Sequence, residues 1–187
     1  MDIIETSLDG VSLVKLDCYR DERGFFLETY QLKRYSTIGI DDSFVQENHS
    51  RSYKGVLRGL HFQIKRPQSQ IVTVMNGRIY YIVVDLRAES STFGKHYGVE
   101  LDDKEIRQIW VTEGFAHGYC VLSEQVDLHY KVSRFYDPSD EGGVLWNDPD
   151  LGINWPLERP IIKKRDAEFP RIKDLTIDKL PHTSPLD

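Results

Sequence analysis

Arg58 and His61 stand three residues apart in Gly55-Val-Leu-Arg-Gly-Leu-His-Phe-Gln63, a segment apolar enough to form a β-strand. A permanent cation beside a group that titrates near neutrality suits an anionic ligand held next to a proton-transfer group. Residues three apart on a regular strand point to opposite faces, so the pair can serve one cavity only if the chain bends or bulges near Gly59. His117 lies in Gly114-Phe-Ala-His-Gly118, between glycines that permit close approach of a ligand or a neighbouring strand. The other four histidines, His49, His96, His129 and His182, have no comparable setting.

Those residue types decide between several chemistries. A metal centre needs three or four His or carboxylate ligands, and no close His pair exists; Gln63 stands two residues beyond His61. No metal is therefore expected. Neither Cys18 nor Cys120 adjoins a useful histidine, and a Gly-x-Ser-x-Gly elbow is missing, which argues against a nucleophilic hydrolase. Phosphate-cradling glycine loops of the Walker or Gly-x-Gly-x-x-Gly kind are also missing. Metal-free acid/base chemistry remains, with a base on one face of a substrate and an acid on the other. His61 suits the base if a carboxylate orients it, Asp166 being one candidate among many. Tyr130 in His129-Tyr-Lys-Val132 is a candidate acid, although a strand tyrosine more often packs.

Strands must position these groups. Mixed β-branched and aromatic runs predict strands over 11–19, 25–30, 44–52, 55–63, 97–101, 106–111, 119–122 and 126–134. A short helix is expected over 31–38, and a helical turn near Arg165. Asn76-Gly77, between runs at 71–75 and 78–86, predicts a two-residue hairpin, because both positions tolerate positive φ. Many short strands with almost no helical periodicity indicate an all-β sandwich or barrel, whose interior is a natural small-molecule site. The 187 residues suffice for one domain, expected over 1–175, with a polar C-terminal tail over 176–187. The net charge of -6 argues against a nucleic-acid partner, and the apolar runs are too short for a membrane span. The first residues, Met-Asp-Ile-Ile-Glu-Thr, lack the features of a signal peptide, so a cytoplasmic protein with reduced thiols is expected.

Six motifs, in order, resemble those of dTDP-4-dehydrorhamnose 3,5-epimerases. They are Asp21-Glu-Arg-Gly-Phe-Phe-Leu-Glu28, Phe44-Val-Gln-Glu-Asn-His-Ser50, Val56-Leu-Arg-Gly-Leu-His-Phe-Gln63, Gly114-Phe-Ala-His-Gly118, Tyr130-Lys131 and Trp146-Asn-Asp-Pro149. The likeness runs from about Ser7 to Asp166. It implies a cupin-type jelly-roll barrel with short peripheral helices, a homodimer, no metal or organic cofactor, and a nucleoside-diphosphate 4-keto-6-deoxy sugar as substrate. By this resemblance His61 abstracts the proton alpha to the ketone, Asp166 completes a His–Asp dyad, and Tyr130 returns a proton from the opposite face. Arg58 and His117 would face the diphosphate and the substrate. Arg23, Glu28, Gln46, Asn48, Glu141 and Arg165 match other ligand-contacting positions, and Tyr136 matches the aromatic that stacks on the base.

The chemistry agrees with the implied roles. A ketone acidifies its neighbouring C–H bonds, the resulting enolate needs a donor at its oxygen, and Arg58 offers a planar fork to a diphosphate. Two positions depart from the family: Gln70 stands where the family usually has Lys, and Tyr81 where it usually has Asp. Two outcomes are weighed equally: an ordinary 3,5-epimerase, or an altered specificity in sugar, nucleotide or number of carbons inverted. A sugar-nucleotide 3,4-ketoisomerase and a non-catalytic sugar-nucleotide binder are the alternatives.

Overall fold

The computed structural model describes residues 1–183, so the last part of the tail expected over 176–187 lies outside the described residues. The chain runs through β1 (Asp2–Glu5), β2 (Val11–Lys15), β3 (Cys18–Asp21), β4 (Gly24–Leu27) and α1 (Leu32–Ser36). It continues through β5 (Gln46–Tyr53), β6 (Val56–Gln63), β7 (Gln70–Asn76), β8 (Arg78–Asp85) and β9 (His96–Asp102). Then come β10 (Arg107–Val111), β11 (Phe115–Val121), β12 (Gln125–Val132), β13 (Glu141–Gly143), β14 (Ile161–Ile162) and α2 (Lys164–Ala167). One sheet has the order β1-β2-β10-β7-β12-β5; the facing sheet has β13-β6-β11-β8-β9, with β14 added beside β6. This is the all-β, jelly-roll architecture expected from the sequence.

The two sheets close over a core that includes Leu13, Val74, Ile79, Val83, Ile109, Val121 and Leu128. The second sheet is buried on both faces. Ile79, Tyr81 and Val83 of β8 point to the interior, whereas Ile82 and Val84 pack beneath Leu60, Val144, Leu151 and Leu180. That double burial explains why β8 reads as a nearly continuous apolar run instead of an alternating one. Fully burying each such side chain stabilises the fold by roughly 1.5–3 kcal/mol. The outer cover comes from the C-terminal third, which is tied down by polar contacts. The Leu145 N–H donates to Pro170 O (2.9 Å), the Ile172 N–H to Asp148 Oδ2 (2.6 Å), and the Trp155 indole to Trp146 O (2.7 Å). On the other sheet, α1 lays Tyr35 over Val14, Leu16, Ile40 and Ile71.

Three expectations need correction. Asn76-Gly77 does not close a hairpin, because β7 belongs to one sheet and β8 to the other. Both sides of β7 are taken by β10 and β12, and both sides of β8 by β11 and β9, so neither has an edge left for the other. Gly77 turns the corner between sheets at φ +91°, and a Cβ there would overlap Gln125 O. Positive φ serves a corner as well as a hairpin, and long-range pairing decides between them. The strand expected over 11–19 is interrupted after Lys15: β3 leaves the sheet and pairs with β4 alone as a two-stranded ribbon. Finally, the strand expected over 119–122 starts earlier: β11 begins at Phe115, directly after a turn at Gly114, so His117 lies within the strand.

Candidate active site

A cavity of about 320 Å³ opens between the two sheets. Its first wall is a regular ladder. Val132 on β12 is flanked by Gln46 on β5 and Gln70 on β7, and Tyr130 is flanked by Asn48 and Val72. Alternation on β5 brings Gln46, Asn48 and Ser50 to the cavity while Glu47, His49 and Arg51 face outward.

The second wall is irregular where it matters. His117 on β11 pairs with His61 on β6, but Tyr119, two residues on, pairs with Arg58, three residues back. One extra residue on β6 therefore bulges at this point and resets the alternation. Arg58 and His61 both line the cavity as a result. The expected bend at Gly59 is present, with φ +130°. Gly59 and Gly118 meet backbone to backbone: a Cβ on Gly59 would lie 2.6 Å from Gly118 Cα, and one on Gly118 would lie 2.5 Å from Arg58 O. The glycines flanking His117 thus include one that permits this close strand approach.

The bulge also frees the Gly59 N–H, which donates to Asp166 Oδ2 (3.2 Å). The same oxygen lies 3.0 Å from His61 Nε2. Asp166 sits on α2 and is 2% exposed. Burial pushes its pKa up, but the hydrogen bond and charge of His61, the Gly59 N–H and Arg165 together outweigh that and hold it below the usual carboxylate range. A carboxylate only accepts, so the proton between the pair belongs on His61 Nε2, leaving Nδ1 with its lone pair. Arg165 Nη2 lies 3.3 Å from that same nitrogen and donates one of its two hydrogens to Glu141, which Arg165 grips with both terminal nitrogens. Glu141 also accepts from the Tyr136 hydroxyl (2.7 Å).

Tyr130 stands on the wall opposite His61, and its hydroxyl has no partner among the described residues. Burial comes first among the causes that raise its pKa, so the phenol keeps its proton near neutrality. His117 lies beside His61. Burial, followed by the nearby His61, pushes its pKa down to about 3. The Tyr81 hydroxyl lies 2.9 Å from His117 Nδ1. Arg58 donates through Nε to Ser52 Oγ (3.1 Å), and Ser52 Oγ is 3.2 Å from the Tyr119 hydroxyl. No carboxylate pairs with Arg58 among the described residues, so its charge is available to a ligand.

Most of the residues singled out from the sequence converge here. Gln46, Asn48, Arg58, His61, Gln70, Tyr81, His117, Tyr130, Tyr136, Glu141 and Arg165 all line the cavity, with Asp166 directly behind His61. Gln46 is committed to the protein: its Oε1 accepts from the Tyr136 N–H (3.0 Å) and its Nε2 donates to Asn48 Oδ1 (3.0 Å). Arg23 and Glu28 are not brought to the cavity. Arg23 is exposed at the β3–β4 turn and binds Asp21, and Glu28 accepts from Arg34 (2.9 Å). Ser52 and Tyr119, which anchor Arg58, were not singled out. The alternation through Gln46 and Asn48 would have reached Ser52; nothing in the sequence marks Tyr119. Among the described residues no three His, Cys, Asp or Glu side chains converge as metal ligands, and no helix is long and apolar enough to cross a membrane.

A base oriented by a buried carboxylate, a protonated phenol across the cavity, and a free guanidinium form a site for moving protons on an anionic substrate. The comparisons with known proteins agree. A family model described as dTDP-4-dehydrorhamnose 3,5-epimerase matches residues 5–174. The chain is 42% identical to the dTDP-4-dehydrorhamnose 3,5-epimerase of Methanothermobacter thermautotrophicus over 91% of this chain and 94% of that one. It is 39% identical to a dTDP-4-dehydrorhamnose 3-epimerase of Streptomyces niveus, over 86% and 79% of the two chains. The crystal structure of the dTDP-6-deoxy-D-glucose-3,5-epimerase of Legionella pneumophila Philadelphia 1, in complex with dTDP-4-keto-L-rhamnose, superposes with a TM-score of 0.94. That alignment covers 98% of this chain and 99% of the other at 42% identity.

Proposed function

This chain belongs to the dTDP-4-dehydrorhamnose 3,5-epimerase family, and from that premise we propose how its own residues carry out the epimerisation. The enzyme is an isomerase that inverts carbon centres beside the ketone of a dTDP-linked 4-keto-6-deoxy sugar in deoxysugar biosynthesis. His61 Nδ1 takes the proton from the carbon alpha to the ketone, and the C–H electron pair moves into an enolate. Asp166 stabilises the imidazolium that forms. Tyr130 donates its phenolic proton to the opposite face of the same carbon, and the ketone returns with the centre inverted. Solvent then takes the proton from His61 and restores the one on Tyr130, so the cycle balances. Arg58 binds the diphosphate, and Tyr136, held by Gln46 and Glu141, offers its ring to the base. The observation that carries this reading is the placement of the His61–Asp166 pair and the unpartnered Tyr130 on opposite walls of one cavity.

Incubation with dTDP-4-keto-6-deoxyglucose in D2O, followed by NMR, tests it. Deuterium is expected beside the ketone, and His61→Ala should abolish the exchange. Tight binding with no exchange would make the protein a binder, and a 3-keto product would make it a ketoisomerase. A second reading is favoured by the uncharged pair Gln70 and Tyr81 in the cavity: inversion at one carbon only. Exchange at C3 and C5 at comparable rates would remove it.

A homodimer is part of the proposal. Among the described residues the β3–β4 ribbon pairs only with itself, and it exposes Tyr19, Phe25 and Phe26, with Arg23 at its tip and Glu28 at its base. Docked on a second copy, it would bury those rings and carry Arg23 to the other cavity. Light scattering should give a dimer; a monomer would contradict this arrangement. A cytoplasmic setting suits the two free thiols, Cys18 and Cys120.

A further inference from the structure

The polar groups of the cavity fall into two sets. Arg165, Glu141, Gln46 and Asn48 are bound to one another or to neighbouring protein groups, as described above. Gln70 is different. It is 8% exposed, lines the cavity, and its side-chain amide has no hydrogen-bond partner among the described residues. Its ladder neighbours are Val111 and Val132, which cannot supply one. Its amide atoms open into the cavity, so they stand free of the protein and available to a ligand group there.

The Tyr81–His117 contact supplies a second such group. Tyr81 is 2% exposed, and its hydroxyl touches no polar partner among the described residues except His117 Nδ1. Two arrangements fit a 2.9 Å contact. If His117 carried its hydrogen on Nδ1 and donated to the phenol, the phenolic proton would be buried with no acceptor. If the phenol donates to Nδ1, both atoms are satisfied and the imidazole hydrogen sits on Nε2. That nitrogen has no protein acceptor among the described residues, and the ring lines the cavity. Burial keeps both groups in the required state: the phenol is raised far above neutrality, and the imidazole is held uncharged by its surroundings and by His61 alongside.

We propose that Tyr81 is a positioning residue that fixes His117 as an uncharged Nε2–H donor, and that this donor and the Gln70 amide form the cradle for the ketone oxygen as it becomes an enolate. The cradle rests on the epimerase reading. It assigns His117 a role distinct from the base His61 beside it: His117 donates a hydrogen bond and never gives up or takes a proton. It also makes the stabilisation of the enolate wholly neutral at this end of the cavity. Neutral hydrogen bonds are about half as strong as charge-assisted ones, so proton abstraction should be the slow step of turnover.

The test combines 15N NMR of the histidine rings with kinetics on dTDP-4-keto-6-deoxyglucose. In the unmodified enzyme His117 should show a bare, hydrogen-bonded Nδ1 and a protonated Nε2, unchanged from pH 5 to 9. Tyr81→Phe should give a mixture of tautomers and lower kcat about 10-fold with KM within 2-fold. Gln70→Leu, which keeps the volume and removes the donor, should lower kcat by about 10²-fold, the loss typical of one oxyanion donor. An active enzyme whose His117 carries its hydrogen on Nδ1, or titrates within that range, overturns the cradle while the epimerase reading stands. So does a Gln70→Leu enzyme with unchanged kcat. An enzyme with the expected tautomer that exchanges no carbon-bound proton overturns the epimerase reading and the cradle with it.

Discussion

The two walls of the cavity are built on opposite plans. The His61 wall is irregular: β6 carries an extra residue, Gly59 adopts positive φ, and two glycines touch backbone to backbone. Its base is wired into a buried carboxylate that a bulged amide also holds. The Tyr130 wall is a regular ladder of β5, β12 and β7, and it leaves the Tyr130 hydroxyl and the Gln70 amide without partners among the described residues. The difference follows from what each wall must do. A base needs its tautomer and orientation fixed, which takes extra contacts and a deformed strand. Donors to a transient substrate need only a rigid mount and freedom from protein partners.

Substitutions on each wall test that contrast. The largest effect is expected for His61→Ala, which should lower deuterium exchange by about 10⁴-fold, while Tyr130→Phe should lower it by about 10²-fold because solvent can supply a proton more readily than it can replace an oriented base. Equal losses would place the two walls on the same footing. Asp166→Asn comes next, because it separates the wiring from the base itself. The folded-state pKa of Asp166 is depressed, so the stability it contributes is complete above the unfolded value and is lost as pH falls through the folded one. Urea unfolding should therefore show the variant weaker than the parent at neutral pH, with the two converging in acid. A gap that stays constant with pH would mean that Asp166 gains nothing from its partners. Gly118→Ala should destabilise the fold by about 1–3 kcal/mol, because its methyl would press on Arg58 O and Gly59 Cα. Ser52→Ala should do least, raising KM a few-fold by loosening Arg58 with kcat unchanged.

The regular wall was the more legible in sequence. Period-two alternation alone puts Gln46, Asn48 and Ser50 on one face of β5, and Tyr130 with Val132 on one face of β12; the pairing of the two strands makes these one wall. The irregular wall was legible only as a requirement: Arg58 and His61 could share a cavity only through a bend at Gly59, which is where the bend lies. Its partners were not readable, because Asp166 meets His61 across more than half the chain and only the family resemblance singled it out. Asn76-Gly77 misled because its backbone freedom permits a corner between sheets as readily as a hairpin, and saturated neighbours on both strands settle the matter. The Tyr81–His117 contact was equally hidden, being diagonal between β8 and β11 and set by a register that no local pattern encodes.

The carboxylate that orients the base arrives on α2, in the segment that wraps the outside of the second sheet after the barrel strands are complete. During synthesis, the cavity walls, the base and the phenol all emerge before it. A nascent or clipped chain ending before α2 would hold every cavity-lining strand and yet lack an oriented base. Activity is thereby reserved for a chain that extends through α2, and a turnover assay doubles as a measure of whether α2 has docked.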